Sequence, residues 1–270
     1  MQKFSDKFIH PGQVSDQWGL NLVVYGQPGV GKTMLAASAQ DSELGRDVLI
    51  IDVEAGSRSI QDREDIRLFV PRYWEDFVDV INYLREEEHT FNTVVIDTLS
   101  AAQTELATPF IAKGPTPSQN EWGLINAQII KMVRAFKQLA VQTGINIVFN
   151  CHEREEKDEG TGKVLIRPDL TPGACRALVA TVDAVARYTY VRGVRTLHFL
   201  SESDRFLAKF RQPLTGEQFP MEIEDPTMEM LLQYVRSRRD GRVDVVSGTQ
   251  MISMNDDIEF KNAVERAKEQ

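Results

Sequence analysis

Gly26-Gln27-Pro28-Gly29-Val30-Gly31-Lys32-Thr33 fits the pattern G-x-x-x-x-G-K-[ST]. An apolar run, Leu20 to Tyr25, precedes it and reads as a buried strand. A helical pattern follows, from Lys32 to about Gln40. Glycines in such a loop let successive backbone N–H groups turn inward and form a nest for an anion. The start of the helix adds its partial positive charge. Lys32 is then expected to face the β- and γ-phosphates of a triphosphate, and the Thr33 hydroxyl to ligate Mg²⁺. The residues expected to wrap the phosphates are Gly26, Gln27, Pro28, Gly29, Val30, Gly31, Lys32, Thr33 and Met34.

Working outward, a second apolar strand is Val48 to Val53 and a third is Thr93 to Ile96, which stops at Asp97. Phe77, Val80, Ile81 and Leu84 recur at helical spacing, so residues 75–87 read as an amphipathic helix. Residues 108–121, with Pro109, Gly114, Pro115 and Pro117, read as a loop. A long helix is expected from about Asn120 to Gln142, then a fourth strand from Ile145 to Asn150. Residues 153–173 are charged and glycine-rich and read as a second long loop. Segments 182–190 and 194–200 flank Val191-Arg192-Gly193 as a β-hairpin, and one more strand covers about 206–211. Beyond Asp240 the chain is polar, with a short helix expected at 257–268. Strands alternating with helices predict an α/β fold. It has a mainly parallel central sheet flanked by helices and C-terminal antiparallel strands. The expected division is a lead-in at 1–18, one domain at 19–235 and a tail at 236–270.

The strand ends carry the other candidates. Asp97 is the natural carboxylate for the Mg²⁺ shell, held through water; it could instead cap the following segment. Glu54, one step beyond the second strand, reads either as the group that orients and activates water against a γ-phosphate or as a solvated surface carboxylate, while Asp52 serves the local turn. His152, at the end of the fourth strand, reads either as a reporter of the γ-phosphate or as a hydrogen-bonded strand-end histidine.

Composition narrows the class. The net charge is −9, which argues against a protein that coats nucleic acid by bulk charge, though not against a local basic groove. Cys151 and Cys175 are too few for a disulfide framework and lack C-x-x-C spacing, so a reducing cytoplasmic setting without a cysteine metal site is expected. No apolar run approaches a membrane span and no secretory signal is evident, so no membrane partner is expected.

Taken in order, these motifs resemble the RecA-like P-loop ATPases of phage type, and among them the short Sak-type single-strand annealing proteins. The resemblance covers residues 19–212. Val48 to Glu54 is similar to the strand that delivers the catalytic glutamate, and Val94 to Ser100 to the Walker B strand. Trp122-Gly123-Leu124 with its helix, then Ile147 to His152, are similar to the elements before the second DNA-binding loop. Ala208-Lys209-Phe210-Arg211 resembles the K-x-R strand whose cations enter a neighbour's site, so Lys209 and Arg211 are implied to act on the γ-phosphate in trans; read without the resemblance they are equally two solvated charges on an edge strand.

The resemblance implies ATP and Mg²⁺ as cofactors and self-assembly into a ring or filament. It also implies single-stranded DNA as partner, with single-strand-binding or replication proteins beside it. The implied activity is a DNA-stimulated ATPase in annealing or strand exchange, in a host bacterial cytoplasm if phage-encoded. The loops 108–121 and 153–173 would face DNA. The second departs from that pattern, because Glu153, Glu155, Glu156, Asp158 and Glu159 repel phosphates. Lys131, Arg134 and Lys137 form a stripe that either tracks a backbone or is a solvated helix face. Two other functions compete: an ATP-switched assembly factor of helicase-loader type, and a small-molecule kinase. The kinase is disfavoured by the lack of arginine in 100–125.

Overall fold

The computed structural model describes residues 19–111, 116–157, 159–160, 162–201, 205–210, 220–236 and 258–268. The first strand, β1 (Asn21–Gly26), is buried along its whole length. It lies between β5 (Asn146–Lys157) and β7 (Ala184–Val191), parallel to both. The sheet continues from β5 through β4 (Thr93–Asp97) and β2 (Val48–Asp52) to β3 (Arg67–Phe69), all parallel. On the other flank the pairing turns antiparallel, from β7 to β8 (Val194–His198) and on to β10 (Glu222–Glu224). Strand order is therefore β10-β8-β7-β1-β5-β4-β2-β3, with β6 (Val164–Pro168) paired to β5 and β9 (Lys209–Phe210) to β7. Near-continuous apolar strands are what a sheet covered on both faces requires.

Alternate residues of β1 divide between two cores. Val23 and Tyr25 join one cluster, with residues from α2 (Trp74–Glu86), α3 (Leu99–Ile111), α4 (Gln119–Thr143), α5 (Pro172–Thr181) and α7 (Ile258–Lys268). Leu22 and Val24 join the other, with α1 (Lys32–Ala37) and α6 (Met228–Arg236). This is the expected mainly parallel α/β sheet with antiparallel C-terminal strands.

Three local expectations need correction. Residues 108–111 are the last turn of α3 rather than loop. Pro109 forgoes the bond its N–H would make to the carbonyl four residues back, but it stands in the last turn, where little helix remains to be disrupted. Residues 153–173 are not a long loop. β5 runs on to Lys157 and returns as β6, and α5 begins at Pro172 with proline in its first turn. Two of the glutamates that suggested a loop are paired: Glu153 with Arg187 at 3.0 Å and Glu156 with Arg167 at 2.5 Å. The strand expected at 206–211 is reduced, among the described residues, to Lys209–Phe210 plus an isolated bridge from Phe206 to Ile166. β3, only three residues long, is an addition.

The β7–β8 hairpin is as expected. Arg192 and Gly193 both have positive φ, as a two-residue turn between twisted strands demands. Helix α7 packs on the body: Phe260 meets the edge of Phe110 with ring centroids 6.2 Å apart. Residues 1–18, 237–257 and Arg211 lie outside the described residues. No helix among the described residues is long and apolar enough to cross a membrane.

Candidate functional site

The loop after β1 begins where Gly26 passes close under β7. A Cβ on Gly26 would lie 2.2 Å from the Tyr188 carbonyl oxygen, so only glycine fits. The loop ends at Gly31, in the left-handed region with φ 104°, and α1 starts at Lys32. Lys32 is buried, and its ammonium donates to the carbonyls of Gly26 and Gln27, both at 2.9 Å. Burial pushes its pKa down, and Asp97 is the main group opposing that shift.

Parallel register then aligns the chemistry. Asp52, Asp97 and Asn150 stand side by side on β2, β4 and β5, and Gly26 stands opposite His152. Asp97 is buried and accepts the Thr33 hydroxyl at 2.6 Å. Burial raises the pKa of its carboxyl, while the Thr33 hydroxyl and the neighbouring Asn150 amide favour the ionised form. Neither polar atom of the Asn150 side chain has a well-formed hydrogen bond, although it is fully buried. Asp52 serves its turn, as expected: it accepts from Gly56 N at 3.0 Å, and from both Ser57 N and the Ser57 hydroxyl.

Glu54 Oε1 accepts the Thr98 hydroxyl at 2.8 Å and meets His152 Nε2 at 2.7 Å, so His152 donates there. His152 is held by its backbone N–H, which donates to Ser100 Oγ at 3.1 Å. Its Nδ1 is buried without a partner. The structure thus brings Lys32, Thr33, Asp97, Glu54 and His152 to the C-terminal ends of adjacent strands. That is where ligands sit in open parallel sheets.

Lys209 lies elsewhere. It is paired to Val185, at the level of Val23, and its ammonium donates to the carbonyls of Val179 and Val182 at the end of α5. Met34, in α1, is exposed.

The sequence reading missed Thr98, Ser100, Asn150 and Arg195. Arg195 on β8 reaches over the loop and donates from Nε to the Val30 carbonyl at 3.0 Å. Its guanidinium stacks on Tyr190, 4.6 Å from the ring centre. The two-residue turn at 192–193 carries the signal, because it sets residue 190 opposite 195.

A glycine nest, a buried lysine and a hydroxyl–carboxylate pair beside it define a P-loop nucleotide-binding site. The chain belongs to the AAA-domain family, whose model matches residues 19–212. Among solved structures it is similar to the RadB recombinase, at 18% identity and a TM-score of 0.44, covering 67% of this chain and 80% of that one. No curated protein sequence matches the chain.

Proposed function

We propose that the protein is a RecA-like ATPase of phage type that works on single-stranded DNA in annealing or strand exchange. The observation that carries this is the juxtaposition of Lys32, the Thr33–Asp97 pair and Glu54 around one glycine loop. The residues suit ATP with Mg²⁺. One hydroxyl and one buried carboxylate, acting through water, are what an ion bound chiefly by phosphate and water needs. When bound, that ion neutralises charge developing on the phosphates.

Main-chain N–H groups of 29–34 hold the phosphates, and Lys32 leaves its loop carbonyls for the β/γ oxygens. Glu54 orients the attacking water and accepts its proton. His152, already hydrogen-bonded to Glu54, passes the state of the γ-phosphate to β5. Lys209 and Arg211 complete the site of a neighbouring copy in a ring or filament. In that case Lys209 must leave its two carbonyls on assembly.

A second reading, an ATP-switched assembly factor for replication proteins, draws on the β5–β6 hairpin. That hairpin exposes Glu155 and Glu159 to solvent. The deciding experiment measures ATP turnover against added single-stranded DNA, with light scattering in parallel. Stimulation together with assembly supports the first reading. Assembly with replication proteins and no DNA stimulation selects the second. Transfer of the γ-phosphate to a nucleoside refutes both.

A further inference from the structure

Beside Glu54 a cavity of about 380 Å³ opens between α3, the start of α4 and the base of the β5–β6 hairpin. Its polar framework is fixed in advance. Buried Gln103 donates to the Thr171 hydroxyl at 3.1 Å and accepts from Thr171 N at 2.8 Å, and that hydroxyl donates in turn to Asn126. Trp122 and Leu170 supply apolar wall. Among the remaining polar groups the carboxylates of Glu54, Glu105 and Asp169 outnumber the one guanidinium, that of Arg154, and the hydroxyls of Ser100 and Thr104 complete the lining. His152 also lines it, and its buried Nδ1 has no partner. Arg154 faces Asp169 at 3.8 Å.

Three features select the ligand. The volume lies in the range of small-molecule sites and suits one base with its sugar. An indole gives a flat stacking surface. A wall rich in carboxylates repels a phosphate and calls for N–H donors, which the amino-bearing bases adenine, cytosine and guanine supply and thymine largely lacks. We propose that this cavity takes up one nucleobase, preferring amino-bearing bases, and that the bound base bears on the Glu54–His152 pair. The inference rests on the ATPase reading for its effect on turnover, but not for binding. The base belongs either to single-stranded DNA, whose phosphates stay outside, or to a free nucleoside.

The test titrates the full chain with an oligodeoxynucleotide containing 2-aminopurine, with and without ATP and Mg²⁺, and records turnover with oligo(dC), oligo(dT) and an abasic strand. Stacking on Trp122 should quench 2-aminopurine, and Trp122→Ala should lose the quenching and about tenfold in DNA affinity. Thr104→Met, at an exposed position on the cavity wall, narrows the space from outside without adding an aromatic quencher and should lower the quenching and the DNA affinity in the same direction even where the alanine variant misfolds. Oligo(dC) should stimulate about threefold to tenfold more than oligo(dT), as one or two extra hydrogen bonds allow. Stimulation by free deoxycytidine without DNA keeps the cavity and assigns it to a nucleoside. An abasic strand as effective as oligo(dC), or quenching that is undiminished in Thr104→Met, overturns the proposal. Because quenching is also read without ATP, the cavity is tested even if the chain binds no nucleotide.

Discussion

Lys32 and Lys209 make nearly the same bonds in different places. Each ammonium donates to two backbone carbonyls, those of Gly26 and Gln27 in one case and of Val179 and Val182 in the other. Around Lys32 the main chain is a glycine loop with Gly31 at φ 104°, and Asp97 and Glu54 are the nearby acids. Around Lys209 the carbonyls are the unpaired end of α5, where a cation balances the helix dipole. A lysine on two carbonyls is therefore no mark of a site. The first arrangement is ready for a ligand because N–H donors, helix start and acids converge with it. The second is a strut between β9 and α5.

Substituting the two lysines should separate these roles. Lys32→Ala should lower ATP turnover by about 100-fold or more, the scale for losing one preorganised charge donor. Turnover at the wild-type rate would remove the P-loop from the mechanism. Asp97→Asn should lower turnover nearly as far, yet stabilise the nucleotide-free chain. Burial raises the folded-state pKa of Asp97 above its unfolded value. Its ionisation therefore costs stability, and that cost is absent below the unfolded pKa and grows as pH rises through the folded one. The melting temperature of Asp97→Asn should exceed wild type at pH 7 and converge with it in acid. A gap that widens in acid would contradict the burial argument.

How much of this was visible in the sequence follows from whether the cause is local. The P-loop is eight consecutive residues, and Asp97 and Glu54 each stand where an apolar strand stops, so short-range pattern sufficed. The β5–β6 hairpin was hidden because the ion pairs that steady it join residues apart in sequence: Glu153 meets Arg187, 34 residues on, and Glu156 meets Arg167 across the two strands. Helix α3 was hidden because α4, α7 and β5 all pack against it, so its apolar positions do not fall on one stripe. Phe260 looked like part of a polar tail, and only its packing against Phe110 shows what it does.

Lys209→Met keeps most of the apolar stem and removes the two carbonyl bonds. The expected cost is about 1–3 kcal/mol of stability, seen as a lowered denaturant midpoint, with ATP affinity of the monomer unchanged. If turnover in the assembly also collapses, and mixing with Lys32→Ala restores part of it, the strut doubles as a trans-acting cation. Loss of stability alone leaves it a strut.

The smallest expected effect lies on the other flank of the loop. Sheet order puts Asp97, Glu54 and His152 on the β5-β4-β2 side of the P-loop and Arg195 on the β7–β8 side. Arg195 contributes one hydrogen bond to the Val30 carbonyl and a stack on half-exposed Tyr190. A hydrogen bond from a charged donor in a partly exposed setting should be worth a threefold to tenfold change in nucleotide affinity at about 1 kcal/mol. Arg195→Gln should show that loss in a nucleotide titration, with the rate at saturating ATP near wild type, because the bond shapes the loop rather than the reacting end. A fall in the saturated rate with affinity intact would move Arg195 from the loop's support to its chemistry, and the division between the two flanks would fail.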